Sequence, residues 1–147
     1  MNAGGGVQSP GFHGVLDTVQ LDDGRMELQA PLIYWSLDRR SFIIPVGFRT
    51  DFDSTPLWIP GFVRVLFRAQ LRNAKASTLH DFLYLTQQTD RADADALFAE
   101  ALELEGESAF GSTVMWVGVR AGGWLAWRRH SRGQTRAEIA LPEPPAA

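Results

Sequence analysis

The chain contains no cysteine. Disulfide staples, thiolate nucleophiles and cysteine-based zinc sites are therefore excluded, and the composition suits a reducing compartment. Histidine is scarce as well, with three in 147 residues, one of them (His13) close to the N-terminal arm. A histidine-rich zinc centre is disfavoured on that ground. Charge of one sign is missing too. Fourteen basic against seventeen acidic side chains leave a net charge of −3, so no broad positive field exists to hold nucleic acid. The opening residues Met1 to Gly6 show neither a basic leader nor an apolar run, and no signal peptide is expected. A bilayer-length apolar run is also lacking. Ala109 to Trp127 approaches the ~20 residues that a spanning helix needs. However, Gly111, Ser112, Thr113, Gly118, Gly122 and Gly123 dilute it, and Arg120 would be costly in lipid. The expectation there is a packed, largely buried helix ending at Gly122-Gly123. Trp124 and Trp127, followed by Arg128, Arg129 and His130, form either a core edge or a membrane-touching end.

With 45% hydrophobic and 21% charged residues, what remains is a globular composition of one-domain size. Residues 1–11, rich in Gly, Ser and Pro, read as a flexible arm; residues 12–130 as a single domain; residues 131–147, with Pro142, Pro144 and Pro145, as a flexible tail. From Phe12 to Val46 the pattern is strand-like: Val15 to Leu21, an Asp22-Asp23-Gly24 turn, Met26 to Trp35, then Phe42 to Val46 after the polar Asp38-Arg39-Arg40 break. Asp-Gly between such runs signals an antiparallel hairpin. Helical patterns follow it, and the fold class expected is α+β.

Between Pro45 and Pro56 lies a loop that carries the carboxylates of Asp51 and Asp53 beside the hydroxyls of Ser54 and Thr55. Such residues cap helices and satisfy turns. They also supply the oxygen ligands that a hard cation such as calcium prefers. Trp58 to Phe67 is apolar around Pro60-Gly61, and Arg64, Arg68 and Arg72 share a face if that region is helical.

Two helices carry the densest chemistry. The first runs from about Asn73 to Thr86, with Ala76, Leu79, Leu83 and Thr86 inward and Phe82 widening the stripe. The second starts at Asp90 as N-cap with Asp93 in its first turn. Ala94, Phe98, Ala101 and Leu102 face inward, and it ends near Gly106. His80 and Tyr84, four apart, lie on one face; Asp81 is turned about 100° from His80. If the helices are antiparallel, residues at one height have numbers summing to about 177, from the equal rise per residue. Asp95 then falls between His80 and Tyr84, on an otherwise apolar face where a carboxylate must be paired. Such an Asp fixes the imidazole tautomer and leaves the other ring nitrogen to take a proton from water. The same three residues could equally form a structural network that rigidifies the helix pair.

Two resemblances follow from these residues. Pro45-Val46-Gly47-Phe48, Thr50-Asp51, Ser54 and Pro56, His80-Asp81 with Leu83-Tyr84, Arg91 with Ala94-Asp95 and Phe98, and Val119-Arg120 with Gly122 together resemble a phage- and prophage-associated family, domain of unknown function 1353. His80-Asp81 and Tyr84 on one helix, with Asp95 on its partner, resemble the catalytic helices of bacterial and viral phospholipases A2. That likeness implies a three-helix, phospholipase A2-like core. It implies His80 as the residue that activates water, Tyr84 and Asp95 as its supports, Asp81 as a calcium ligand, and Asp51 or Asp53 as a second ligand from the upstream loop. The Gly-rich, cysteine-containing calcium loop of the animal enzymes has no counterpart here.

The functional expectation is a calcium-dependent acyl hydrolase acting on phospholipid at a membrane surface. Trp58, Phe62, Phe67 and the Trp124–Trp127 end are candidates for its apolar rim. The alternatives are a non-enzymatic virion or host-interaction protein and another metal-dependent hydrolase such as a cell-wall peptidase. A phage setting implies the host cytoplasm or the virion as location.

Overall fold

The computed structural model describes residues 8–50 and 73–131. Six short strands precede three helices within them. The strands are β1 (Gly11–His13), β2 (Thr18–Gln20), β3 (Met26–Leu28), β4 (Leu32–Trp35), β5 (Ser41–Ile44) and β6 (Arg49–Thr50). The helices are α1 (Ala74–Thr86), α2 (Arg91–Leu104) and α3 (Ala109–Ser131). Strands and helices are segregated along the chain, as an α+β protein requires.

All pairings are antiparallel, in the orders β1-β4-β5 and β2-β3-β6. Side-chain alternation sets which face is buried. Tyr34 pairs with Phe42 and Leu32 with Ile44, and all four are buried while Ile43 between them is exposed. The Asp22–Gly24 turn forms as expected, with Gly24 at φ 84° and its N–H donating to the Leu21 carbonyl at 2.9 Å.

The run from Met26 to Trp35 is not one strand. It breaks at Gln29–Pro31: the Gln29 N–H continues the β2–β3 ladder to the Asp17 carbonyl at 2.8 Å, and Pro31 has no N–H to offer. The facing segment breaks at the same level. Gly47, at φ 83°, donates to the Leu28 carbonyl, and Leu28 donates to the Phe48 carbonyl. One long hairpin is thus divided into a β4–β5 half and a β3–β6 half, joined through Leu28 and Phe48. Phe48 meets Phe82 of α1 edge-on at 5.5 Å between ring centroids, so the break point is also where the hairpin seats on the helices.

α2 fastens the other half of the hairpin. Asp90 caps the helix, accepting the Asp93 N–H at 2.8 Å, and Asp93 in turn receives both Arg40 guanidinium nitrogens at 2.5 and 2.9 Å. Two turns further on, Glu100 accepts the Tyr34 hydroxyl at 2.7 Å and the Leu37 N–H at 2.9 Å. The Arg40 pair is partly exposed and its contribution is correspondingly modest. The Tyr34 bond is made by a fully buried ring.

α3 departs from expectation in two ways. It continues through Gly122-Gly123 to Ser131, because glycine ends a helix only where the backbone turns left-handed. It is also not largely buried: among its described side chains only Ser112 and Met115 are fully enclosed. Among the described residues, no helix is long and apolar enough to cross a membrane.

Tyr34→Phe keeps the ring but removes the bond to Glu100, whose carboxylate then retains, among the described residues, the Leu37 N–H alone. Loss of a net hydrogen bond to a charged acceptor is expected to cost about 1.5–3 kcal/mol. Denaturant titration followed by circular dichroism measures it.

Candidate active site

α1 ends at Thr86 and α2 begins at Arg91, so the two pack as an antiparallel pair with a short link. The equal-rise argument holds: Asp95 lies between His80 and Tyr84. The His80 Nε2 is 2.8 Å from Asp95 Oδ1, and the Tyr84 hydroxyl donates to the same oxygen at 2.6 Å. Asp95 is 0% exposed, and the His80 side chain 11%. The imidazole is held between two rings, with centroids 4.2 Å from Tyr84 and 4.8 Å from Phe98. Bonding an ionised Asp95 requires the proton on Nε2, so a neutral ring presents its lone pair at Nδ1. Among the described residues nothing hydrogen-bonds Nδ1.

Sequence reasoning missed the third partner. Arg120 of α3 donates from Nη1 to Asp95 Oδ2 at 3.0 Å. In the sequence it stood out as a charged side chain alone in an apolar stretch and as part of the family-like Val119-Arg120 motif, neither of which assigns it to Asp95. Arg91 stands behind it, donating to the Arg120 carbonyl at 3.3 Å and lying against the Tyr84 hydroxyl. Burial alone would raise the Asp95 carboxyl, but the bonds from His80, Tyr84 and Arg120 outweigh it and hold Asp95 below its ordinary 3.8. Burial and the neighbouring Asp95 push the Tyr84 phenol far up, so it stays a donor.

Gly123 lets α3 approach this closely. A Cβ there would lie 2.3 Å from the Tyr84 hydroxyl oxygen. One turn further on, Trp127 packs edge-on against Tyr84 at 5.1 Å. The tyrosine is thus fixed by Asp95 on one side and by the α3 backbone and indole on the other.

Asp81 faces away from this network, as its 100° offset predicts, and its Oδ2 accepts the Thr50 hydroxyl of β6. Thr50 is the residue immediately before Asp51 in the chain. Asp51 and Asp53 themselves, like Trp58, Phe62, Phe67, Arg64, Arg68 and Arg72, lie outside the described residues. Among the described residues no three histidine or carboxylate side chains form a cation-sized group. The donor type at Asp81 fits a hard cation, and Thr50 is one of its present partners. On the same helix, Ser77 is buried, with a hydroxyl that has no hydrogen-bond partner among the described residues. It lies one turn before Asp81.

Fold and site together define a small α+β protein in which a histidine is held by a buried, doubly supported carboxylate on a helical hairpin. The sequence profile of a family described as protein of unknown function (DUF1353) matches residues 26–119, well over half of the chain, and the chain belongs to that family. The match spans both halves of the broken hairpin as well as His80, Asp81, Tyr84 and Asp95. No curated protein and no solved structure gives a match.

Two predictions follow from the packing around Asp95. Gly→Ala inside a helix ordinarily gains up to about 1 kcal/mol, but Gly123→Ala is expected to lose about 1–3 kcal/mol by overpacking against Tyr84. In a Tyr84→Phe background, which removes the nearest atom, the penalty should shrink; a double-mutant cycle by urea titration reads the coupling. The second concerns acid. Because the folded protein holds Asp95 below its unfolded value, the stability that it contributes is fully present above that value and is lost as pH falls through the folded pKa. The stability gap between wild type and Asp95→Asn should therefore narrow as pH falls below 3.8, as measured by denaturation at a series of pH values.

Proposed function

We propose that the chain is a calcium-dependent acyl hydrolase of the phospholipase A2 type, with His80 as general base for water. One observation carries this reading. The buried Asp95 takes Nε2 of a ring clamped between Tyr84 and Phe98, which leaves Nδ1 as the acceptor. In the proposed reaction Nδ1 removes a proton from water as the water oxygen bonds to the ester carbonyl carbon. The same proton then passes to the departing alkoxide as the C–O bond breaks. Asp95 stabilises the imidazolium between these steps, and Tyr84 and Arg120 keep Asp95 in place and ionised. Asp81, with Asp51 and less firmly Asp53, would hold calcium, whose charge stabilises the developing oxyanion when bound. A phage or prophage setting, in the host cytoplasm or the virion, belongs to the same proposal and rests on the family resemblance.

A second reading is favoured by Arg120. With three donors on its two oxygens, Asp95 is satisfied without any ligand or substrate, as a purely structural network in a virion or host-interaction protein would be. Activity separates the two. Full-length protein with phosphatidylglycerol or phosphatidylcholine vesicles and millimolar calcium is expected to release fatty acid. Chelation should stop the release, and His80→Ala should lower it at least about 100-fold with the circular dichroism unchanged. No release from either vesicle, or release undiminished in His80→Ala, overturns the hydrolase and leaves the scaffold.

A further inference from the structure

The polar network around Asp95 is out of balance in charge. Among the described residues Asp95 is its one carboxylate, and two guanidiniums meet there. Arg120 gives Nη1 to Asp95 Oδ2 at 3.0 Å. Arg91 lies four residues before Asp95 on α2 and so on the same side of that helix. Its Nη1 donates to the Arg120 carbonyl at 3.3 Å, and its guanidinium also bonds the Tyr84 hydroxyl. Both acceptors are neutral, and among the described residues Arg91 forms no ion pair. The neighbouring acids of α2 are committed elsewhere. Asp90 caps the helix through the Asp93 N–H, and Asp93 takes Arg40.

A half-buried cation has given up water without gaining a counter-charge, which is costly unless an anion completes it. Arg91 is half-buried and the Arg120 side chain is 34% exposed, so both are open to a ligand from solvent. A guanidinium carries five N–H donors, and at this spot donors outnumber acceptors. The next positions round α2, Ala92 and Ala96, are small and exposed, and no long side chain at those positions covers the pair. The missing partner is therefore an anion with several acceptor oxygens. A phosphate, with oxygens on all sides, can take two planar guanidinium forks at once.

We infer that Arg91 and Arg120 form a phosphate-binding site between α2 and α3, on the Oδ2 side of Asp95. His80 and Tyr84 occupy Oδ1, so a phosphate there leaves the imidazole unobstructed. One negative charge balances the surplus, whether it comes from a lipid headgroup phosphodiester or from a free phosphate. The inference rests on charge balance and not on the hydrolase reading.

The test uses the full chain and needs no turnover. Sodium phosphate titrated calorimetrically, against sodium chloride at matched ionic strength, should show saturable binding. In NMR the side-chain Nε–Hε signals of Arg91 and Arg120 should shift with the same midpoint. Arg91→Gln should weaken binding at least about tenfold, the worth of one charge-assisted hydrogen bond. Arg49→Gln, which removes the same charge on the sheet side, should leave it unchanged. Glycerophosphoglycerol in place of phosphate identifies the source. Equal affinity assigns the site to a headgroup phosphodiester, and much weaker affinity to a free phosphate. Three results overturn the inference. They are heat no different from chloride, shifts confined to Arg128 and Arg129 at the exposed end of α3, and binding in folded Arg91→Gln as tight as in the wild type. If Arg91→Gln does not fold, the wild-type shifts of Arg91 and Arg120 decide alone.

Discussion

A fully buried carboxylate is the constraint on which the helical half of this protein depends. An ionised Asp95 without partners would be costly by several kcal/mol, and the three elements that enclose it are arranged to prevent that. His80 and Tyr84 come from α1, Asp95 from α2 and Arg120 from α3. The register of α1 against α2 is therefore fixed by polar chemistry as well as by the apolar stripe of Leu79, Leu83, Phe98 and Leu102. A slip of one turn would leave Asp95 beside at most one of His80 and Tyr84. The same demand explains Gly123: Arg120 can reach Asp95 only if α3 lies close, and close approach at Tyr84 leaves no room for a Cβ.

The sheet half is attached by a second, separate set of polar ties. Asp93 and Glu100 of α2 take Arg40, Tyr34 and the Leu37 N–H, and Asp81 of α1 takes Thr50. Each of the two hairpin segments is thus bonded to a different helix, which is why a break at Gln29–Pro31 and Pro45–Gly47 is tolerated. The break redirects the strands so that β5 and its neighbours address α2 while β6 addresses α1. His80 and Asp81, adjacent in sequence, consequently serve different partners, one in the helical core and one at the sheet.

Much of this was readable from residue spacing. The 3.6-residue period places His80 with Tyr84, and equal rise along an antiparallel pair places Asp95 between them. The Asp-Gly turn and the Asp90 cap are local chemistry. What escaped the sequence depended on distance in the chain. Arg120 is 25 residues from Asp95, and its charge was weighed only as an obstacle to a membrane span. Gly122-Gly123 was read through helix-ending propensity, when the requirement at Gly123 is the space that Tyr84 occupies. The strand break was underestimated because apolar alternation carries on across Pro31, although the missing N–H was visible there.

α3 then has two unlike faces with one origin. Its inner side gives up side-chain volume at Gly123 and commits Arg120 to the buried charge, so it contributes little apolar burial of its own; Met115 and Ser112 are its only fully enclosed described side chains. Val119 and Trp127 pack partly buried against the core and Arg120 ties the 23-residue helix to Asp95, while Phe110, Val117 and Trp124 stay exposed on its outer side. These ties matter because isolated helical propensity is weak and glycines lower it further.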